Sequence, residues 1–570
     1  MRGIRSLRAL SLAVALLGCF VGPLGAQTIP NSKNESATIH GTVVNSVTHA
    51  PIGRALVYSQ DNRFATLTDS EGRFEFTVPS NKAQRSDEGP LLRRSDGPTE
   101  VTEENLVSMI PFMARKPGFL SDENAQATFV GPDQREVTIY LVPAGLIVGR
   151  VTVADSESSQ RVRVDLFRRQ VQNGRATWTS AGTVATWSDG QFRFSDLYPG
   201  TYKVFTRESM DRDPLTFDPR GPLYGYPPVY FPGVSNFEAG TAIQLRAGVT
   251  FNVDLSPQRR RYYPVNVGVA NAPEGGVGVQ VLAGGQIGPG YSLGYNPRAH
   301  AIQGWLPDGT YTVEAETYGG PSASGTTEIS VQGAAATGHT VTLVPNTSLR
   351  VNVAEELTST QGPADSGQTG VSGGHTYVRL EPAGEFERRG RFRGAETRQP
   401  DAAEDAPLTI ENVMPGRYWV HVYSWRGYAA AIKYGDADLL HQPLVVPPGS
   451  LSSPIEVTVR DDFAQIDGII VEKVPAASVP SANPAAYLYL IPSPDSPGQF
   501  KELGVSPNGK FFLPQIPPGD YQVLAFARRQ KDLEYQNTEA MRKYESLGQE
   551  IRLVPGQTAH LELHLISGSE

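Results

Sequence analysis

The sequence predicts an all-β protein: a tandem array of about five small antiparallel β-sandwich domains, of the prealbumin or immunoglobulin-like kind, with little helix. Three observations lead to this prediction. The chain has 570 residues, too many for one hydrophobic core. Its 58 glycines and 45 prolines suit many turns between short strands. A sequence motif that predicts two strands, which we call the clause, also occurs twice, as SDGQFRFSDLYPGTYKVF (188–205) and PNGKFFLPQIPPGDYQVL (507–524).

Each clause indicates a tight turn, a strand, a second turn and a second strand. Asp189 and Gly190 open the first copy, and glycine takes positive φ in such a turn at little cost. Phe192 and Phe194 are two residues apart, so they fall on one face of a strand. Tyr202 starts the next strand, and we expect its hydroxyl to bond to nearby backbone, as buried tyrosines usually do.

Weaker forms of the clause set the number of domains. The clause tyrosines are Tyr202, Tyr311, Tyr418 and Tyr521, which lie 109, 107 and 103 residues apart. A period near 100 residues is typical of a whole sandwich domain. A closing strand follows each clause, and a fifth closing strand at 127–143 belongs to an N-terminal unit. The predicted domains are 35–144, 145–257, 258–347, 348–462 and 463–567.

Four of these domains carry a special segment. The segments are a charged insertion at 80–107, a Pro/Tyr-rich loop at 213–237, mobile polar loops at 358–374 and 387–407, and a short helix near 533–548. The triplet Arg259–Arg261 lies between the second and third domains. We expect it to form ion pairs across that boundary.

The first 26 residues have the pattern of a secretory signal peptide. Arg2, Arg5 and Arg8 precede an apolar stretch that is too short for a stable membrane span. Cleavage after Ala26 removes Cys19, the only cysteine; lipoprotein processing at Cys19 is the alternative. Both predict an exported protein, which is periplasmic, outer-membrane-associated or extracellular. No other apolar run is long enough to predict a transmembrane span in the mature chain.

The first domain resembles a known family. ATIHGTVVNSVTHAPIGRALVYSQDNRFATLTDSEGRFEF (37–76) is similar to the carboxypeptidase regulatory-like domain, and LIVGRVTV (146–153) begins a second, similar copy. The matching residues are Ile39, Gly41, Val43, Pro51, Ile52, Ala55, Val57, Thr68, Asp69, Gly72, Phe74 and Phe76. The resemblance implies a prealbumin-like sandwich, grouped with carbohydrate-binding-like folds. It also implies an extracellular accessory or binding role without catalytic residues.

No motif in the sequence indicates catalysis, so we predict a protein that is not an enzyme and has no metal or cofactor. None of the nine histidines has a glutamate three positions on, as the motif of zinc carboxypeptidases requires. Residues 370–374, GVSGG, match a nucleophile elbow only formally, because a Gly/Ser-rich loop surrounds them. The net charge of −9 gives no sign of a nucleic-acid partner.

The candidate ligand-binding residues are Tyr224, Tyr226, Tyr230 and Phe231 in the loop 213–237. The loop holds six prolines, whose stiff backbone hinders its aromatic side chains from folding inward. Flat aromatic faces can stack on the C–H faces of sugar rings. The alternative is that the loop packs over the end of its own sandwich or against the third domain.

Two functional hypotheses follow from the sequence. The first is an exported, non-enzymatic binding or scaffold protein whose partner is a polysaccharide or another component of the cell envelope. The second is a structural spacer or protein–protein interaction module without affinity for glycans. The spacer hypothesis expects a rigid, extended shape.

Overall fold

The computed structural model confirms the fold class. Its sheets, ten among the residues it describes, enclose five separate buried hydrophobic clusters. We call the units around these clusters sandwiches 1 to 5; the boundaries given above stay predictions. The structure describes residues 36–59, 63–79, 110–121, 128–130, 136–153, 161–211, 221–283, 290–318, 322–358, 376–384, 397–398, 408–449, 453–472, 486–506 and 508–566.

Sandwich 1 surrounds the buried side chains of Val43, Val57 and Phe112. Its strands are β1 (Ser36–Asn45), β2 (Leu56–Ser59), β3 (Ala65–Leu67), β4 (Arg73–Pro79), β5 (Ile110–Arg115), β6 (Phe119–Ser121), β7 (Thr128–Val130) and β8 (Glu136–Pro143). One sheet has the order β4-β1-β8-β6 and the other β3-β2-β5-β7.

Sandwich 2 contains the first copy of the repeated clause. Its strands are β9 (Gly145–Val151), β10 (Arg163–Gln172), β11 (Arg175–Ala185), β12 (Gln191–Leu197), β13 (Gly200–Thr206), β16 (Ile243–Leu245) and β17 (Thr250–Leu255). Its sheets are β11-β10-β13-β16 and β12-β9-β17. Phe192 and Phe194 both face the core, as their two-residue spacing predicts.

Sandwich 3 also takes two short strands from the preceding segment, β14 (Ser209–Met210) and β15 (Tyr224–Tyr226). Its own strands are β18 (Arg260–Ala270), β19 (Gly276–Ala283), β20 (Leu293–Asn296), β21 (Ala301–Pro307), β22 (Gly309–Tyr318), β23 (Ala323–Val331), β24 (Ala336–Thr342) and β25 (Val344–Pro345). One sheet has the order β14-β15-β18-β21-β20, with β24 paired to β18, and the other β19-β22-β23-β25.

The strands of sandwich 4 are β26 (Thr347–Glu356), β27 (Thr376–Pro382), β28 (Thr397–Arg398), β29 (Leu408–Val413), β30 (Gly416–Ser424), β31 (Tyr428–Tyr434), β32 (Ala437–Asp438), β33 (Leu444–Val446) and β34 (Ile455–Arg460). One sheet has the order β28-β29-β26-β34-β31-β32 and the other β27-β30-β33.

The strands of sandwich 5 are β35 (Ala464–Ile470), β36 (Ala486–Pro492), β37 (Lys501–Val505), β38 (Lys510–Ile516), β39 (Gly519–Phe526), β40 (Gln549–Leu553) and β41 (Thr558–Leu563). One sheet has the order β38-β35-β41 and the other β37-β36-β39-β40.

The helix predicted near 533–548 is shorter than expected. It consists of α1 (Thr538–Met541), followed by a 3-10 turn at Arg542–Tyr544. Asn537 caps α1, because its side chain accepts hydrogen bonds from the backbone of Glu539 and Ala540. The residues before the cap instead pack against sandwich 5. In the described part of the chain, no helix has the length and apolar character to cross a membrane.

One feature shared by all five sandwiches was not predicted. The first strand of each pairs in parallel with its closing strand: β1 with β8, β9 with β17, β18 with β24, β26 with β34, and β35 with β41. A parallel pair needs a long crossover connection, and the remaining strands of the sandwich supply it. The other strand pairs among the described residues are antiparallel, and one isolated parallel bridge joins Phe526 to Ile566.

The clause tyrosines behave as the sequence predicts. In every copy the hydroxyl donates to the backbone carbonyl four residues upstream. The four bonds are Tyr202 to Tyr198 at 2.7 Å, Tyr311 to Pro307 at 2.9 Å, Tyr418 to Met414 at 2.9 Å, and Tyr521 to Pro517 at 2.6 Å. Each bond ties the start of a strand to the turn before it.

Candidate functional site

The Pro/Tyr-rich loop packs inward and across a domain boundary. Tyr224 and Tyr226 lie in β15, which pairs with Arg260 and Arg261 of β18 in sandwich 3. Tyr226 is only 3% exposed and Tyr230 only 5%. The expectation of an exposed platform is therefore wrong for these two rings. Phe217 of the same loop lies outside the described residues.

The physical reason is a second aromatic cluster on the outside of sandwich 2. Tyr230 stacks on Phe205, with 4.8 Å between ring centroids, and meets the edge of Phe237. Phe231 packs on the sandwich 2 core and lies edge-on to Phe251. The loop reverses direction by itself, because the Tyr230 and Val234 backbones bond to each other. The prolines thus stiffen a loop that covers its own sandwich.

Tyr224 is half-buried, and its ring has a partner as well. The guanidinium of Arg259 lies 3.9 Å from the centroid of Tyr224. Arg259 Nε also forms an ion pair with the buried carboxylate of Asp211, at 2.7 Å. Asp211 lies before the predicted boundary at residue 257 and Arg259 after it, in keeping with the expected pairing of the arginine triplet; that boundary stays a prediction.

A cavity of about 770 Å³ opens where sandwiches 2, 3 and 4 meet. We call it the junction cavity. Its floor is the outer face of β19, β22 and β23, where alternate residues face away from the core. The strand registers arrange the floor in two rows, Gln280–Glu314–Thr326 and Gly278–Glu316–Ser324. The floor therefore combines an amide, two carboxylates and two hydroxyls.

Sandwiches 2 and 4 supply the walls of the junction cavity. Arg161, Arg163 and Arg207 contribute positive charge from sandwich 2. Arg207 Nε is held at 2.6 Å from a carboxylate oxygen of the fully buried Asp165, which fixes the guanidinium in the wall. The turn residues Met414 and Pro415, together with Pro448, close the cavity from sandwich 4.

A buried polar group forms the wall between sandwiches 2 and 3. The backbone N–H of Glu208 donates to the carbonyl of Gly290 at 3.2 Å, and its carboxyl lies beside the hydroxyl of Tyr262. Burial raises the pKa of Glu208 to about 8, although a hydrogen bond from the Ser292 backbone opposes the shift. Burial likewise raises the pKa of the neighbouring Tyr291 to about 12. At neutral pH this carboxyl is therefore mostly protonated.

A third feature joins sandwich 2 to sandwich 5. The tip of the β10–β11 hairpin, residues 169–175, docks on the segment 534–536; we call this contact the clasp. Arg169 donates to both carboxylate oxygens of Glu534, at 2.5 and 2.9 Å. The two residues are 365 positions apart in the chain. The hydrogen bonds lower the pKa of Glu534.

The hairpin tip fits closely against the aromatic rings of sandwich 5. Gly174 has φ +73°, and a Cβ atom there would lie 2.7 Å from the ring of Tyr535. Tyr535 in turn stacks flat on Phe500 at 3.9 Å between centroids. The backbone N–H of Gln536 donates to the carbonyl of Gly174 at 3.1 Å. Glycine at this position is therefore required by both the turn and the contact.

The same hairpin tip also contacts sandwich 4. Asn173 Nδ2 donates to a carboxylate oxygen of Glu381 at 2.8 Å. The guanidinium of Arg175 lies 3.5 Å from the ring centroid of Trp419, a cation–π distance. One hairpin therefore holds three sandwiches together.

The described residues contain no cluster of three or more histidine, cysteine, aspartate or glutamate side chains that could hold a metal ion. Several of the described histidines each pair with one carboxylate, as His441 does with Asp438 and His564 with Glu472. The formal nucleophile-elbow match at 370–374 and Cys19 lie outside the described residues.

Comparisons with known proteins give no family assignment. No protein family matches the chain, and no curated protein matches it. The resemblance of residues 37–76 to the carboxypeptidase regulatory-like domain therefore stays a prediction.

The solved structures that match the chain include three bacterial pilins. The minor pilin GBS52 of Streptococcus agalactiae is 15% identical, with a TM-score of 0.17, over 39% of this chain and 96% of that one. A variant of the shaft pilin SpaA from Lactobacillus rhamnosus GG is 9% identical, with a TM-score of 0.18, over 40% and 97%. A streptococcal ancillary pilin is 12% identical, with a TM-score of 0.17, over 55% and 100%. Similarities at these scores carry no argument about this chain.

Proposed function

We propose that this protein is an exported, non-catalytic binding scaffold whose ligand is a carbohydrate of the cell envelope or of its surroundings. The observation that supports this most is the clasp. It holds sandwiches 2, 4 and 5 in one arrangement through residues up to 365 positions apart. A scaffold that binds across several domains needs such contacts.

The clasp weighs against the spacer hypothesis. In an extended spacer each domain contacts only its neighbours in the chain, as in repeat proteins that form solenoids. Here the hairpin of sandwich 2 contacts Trp419 of sandwich 4 and Tyr535 of sandwich 5, neither of which follows sandwich 2 directly in the chain. The array therefore folds back on itself.

Carbohydrate is the ligand class that fits the remaining observations. The resemblance of residues 37–76 implies a carbohydrate-binding-like fold. The polar floor and walls of the junction cavity offer many hydrogen-bond donors and acceptors, which sugars require. Export follows from the signal-like segment 1–26, with lipid attachment at Cys19 as the alternative to cleavage after Ala26.

An array of immobilised polysaccharides and cell-wall fragments tests this function. The mature chain, residues 27–570, is expected to bind at least one glycan. Absence of binding to every glycan at high protein concentration would contradict the proposal and favour the second hypothesis.

A protein–protein interaction module remains a second candidate because sandwich 4 carries exposed aromatic side chains. Trp425 is 86% exposed and Tyr423 is 54% exposed. Aromatic residues of this kind are enriched where proteins bind each other. Capture of envelope proteins by the wild-type chain, lost in Trp425→Ala, would favour this function over glycan binding.

A further inference from the structure

We propose that the junction cavity is the binding site of an uncharged oligosaccharide. This inference rests on the proposed function, since it names the site and the kind of glycan. The volume of about 770 Å³ lies within the range of ligand sites in proteins. Such sites occur preferentially where domains meet, as this one does.

The floor has the chemistry that sugar hydroxyls need. A hydroxyl donates one hydrogen bond and accepts up to two. Gln280 both donates and accepts, Glu314 accepts, and the hydroxyl of Thr326 does either. These three side chains form one row across β19, β22 and β23. A flat row of mixed donors and acceptors matches a row of hydroxyls on a sugar chain.

The balance of charges in the lining favours an uncharged ligand. Among the described residues, Arg161, Arg163 and Arg207 line the junction cavity together with the carboxylates of Glu314 and Glu316, and the carboxylate of Asp165 lies behind Arg207. Glu208 also lines the cavity but is mostly protonated at neutral pH, so it adds little charge. An acidic ligand would approach carboxylates, and a basic ligand would approach guanidinium groups, at a cost in desolvation and repulsion. A neutral ligand rich in hydroxyls donates to the carboxylates and accepts from the arginines.

Among the described residues, the aromatic side chains of Phe167, Tyr291 and Tyr318 line the same space, and Phe167 is buried. Tyr318 continues the outward-facing series of β22 after Glu314 and Glu316 and is 55% exposed. Tyr291 lies in the wall and meets Tyr311 edge-on, at 5.2 Å between centroids. Rings beside a polar floor provide the apolar face that a pyranose ring stacks on.

Filling the cavity tests the site directly. Thr326 is an exposed floor residue, so Thr326→Trp places an indole in the cavity without disturbing the core. Ser330→Trp on the same face of β23 is the matched control, because Ser330 does not line the cavity. Gln280→Ala removes one pair of hydrogen-bonding groups from the floor. The unfolding transition of each variant is compared with wild type to show that it folds.

Calorimetric titration of the mature chain uses tetrasaccharides of the glucan, xylan, mannan and chitin series as neutral probes and an oligogalacturonate as the acidic probe. We expect at least one neutral probe to bind. Thr326→Trp should then weaken it by more than about tenfold and Gln280→Ala by about threefold to tenfold. Ser330→Trp should bind as wild type does.

The other outcomes separate the two proposals. If wild type binds a neutral probe and Thr326→Trp binds it equally well, the site is elsewhere; the inference fails while the proposed function stands. Binding of the oligogalacturonate alone overturns the ligand class. If no probe binds and the polysaccharide array is also empty, the proposed function fails together with the inference.

Discussion

At the scale of single residues, the clause tyrosines are the clearest link between sequence and stability. Tyr521 is 1% exposed, and its hydroxyl donates to Pro517 while accepting from the backbone N–H of Gln499. Removing the hydroxyl leaves both backbone groups without this partner. A buried polar group without a hydrogen-bond partner costs about 1–3 kcal/mol of folding free energy, so the hydroxyl of Tyr521 contributes to the stability of sandwich 5.

We predict that Tyr521→Phe lowers the local stability of sandwich 5 by about 2 kcal/mol. Hydrogen–deuterium exchange of peptides from β36 and β39 measures this loss. Tyr423→Phe, at an exposed ring of sandwich 4, is the control and should leave exchange unchanged. Equal protection in wild type and Tyr521→Phe would show that the hydroxyl contributes nothing.

Glu208 gives the molecule a predicted pH dependence. Burial raises its pKa from 4.5 to about 8, so the folded state binds a proton that the unfolded state releases at lower pH. The resulting stability is fully present below about pH 4.5 and is lost as the pH rises through about 8. The side chain of Glu208→Gln is neutral at every pH, so the stability of this variant does not show this decrease.

Thermal unfolding midpoints at about pH 5 and about pH 9 measure the effect. The unfolding midpoint of Glu208→Gln minus that of wild type should be larger at the higher pH than at the lower pH. Glu328→Gln, at an exposed position on β23, controls for a general effect of removing a carboxylate. A difference between Glu208→Gln and wild type that is the same at both pH values would contradict the assignment.

The candidate residues show what the sequence could not predict at this scale. The alternation of Phe192 and Phe194 is local, so their burial followed from spacing alone. Tyr226 and Tyr230 are buried by Phe205, Phe237 and sandwich 3, which a linear pattern does not bring together. Conversely, Trp425, which lies between β30 and β31, is 86% exposed, and its position in the chain gave no sign of this exposure.

At the scale of elements, the β10–β11 hairpin does the most to organise the array. Asn173 and Gly174 are a turn dipeptide, so the hairpin itself could be predicted from the sequence. Its docking on sandwiches 4 and 5 could not, because Glu381 and Glu534 carry no pattern that marks them as partners. The parallel pairing of first and closing strands could not be predicted either. The alternation of apolar and polar residues determines which face of a strand is buried, whereas the identity of the neighbouring strand depends on the whole fold.

We predict a measurable coupling between Arg169 and Glu534. Glu534 is 12% exposed and Arg169 is 35% exposed, so the bidentate pair is only partly screened. A double-mutant cycle with Arg169→Ala and Glu534→Ala should give a coupling energy of about 1 kcal/mol. Exchange protection of the segment 533–541 is the readout. Additive effects of the two substitutions would mean that the ion pair does not hold the clasp.

At the scale of the whole molecule, the five sandwiches form an array closed by the clasp. The fold class followed from the repeated clause and its period near 100 residues. The closed arrangement and the junction cavity did not, since both arise from contacts between domains that are not consecutive. These contacts hold the similar domains in one arrangement and form the cavity that we propose as a binding site.

Small-angle X-ray scattering of the mature chain tests this closed arrangement most directly. The first variant combines Arg169→Glu with Arg175→Ala. It places a carboxylate at position 169 next to that of Glu534 and removes the contact of Arg175 with the ring of Trp419. The second variant is the charge swap Arg169→Glu with Glu534→Arg. The first variant should have a larger radius of gyration than wild type, and the swap should restore the wild-type value. Identical scattering from all three chains, or an extended wild type, would contradict a scaffold held closed by the clasp.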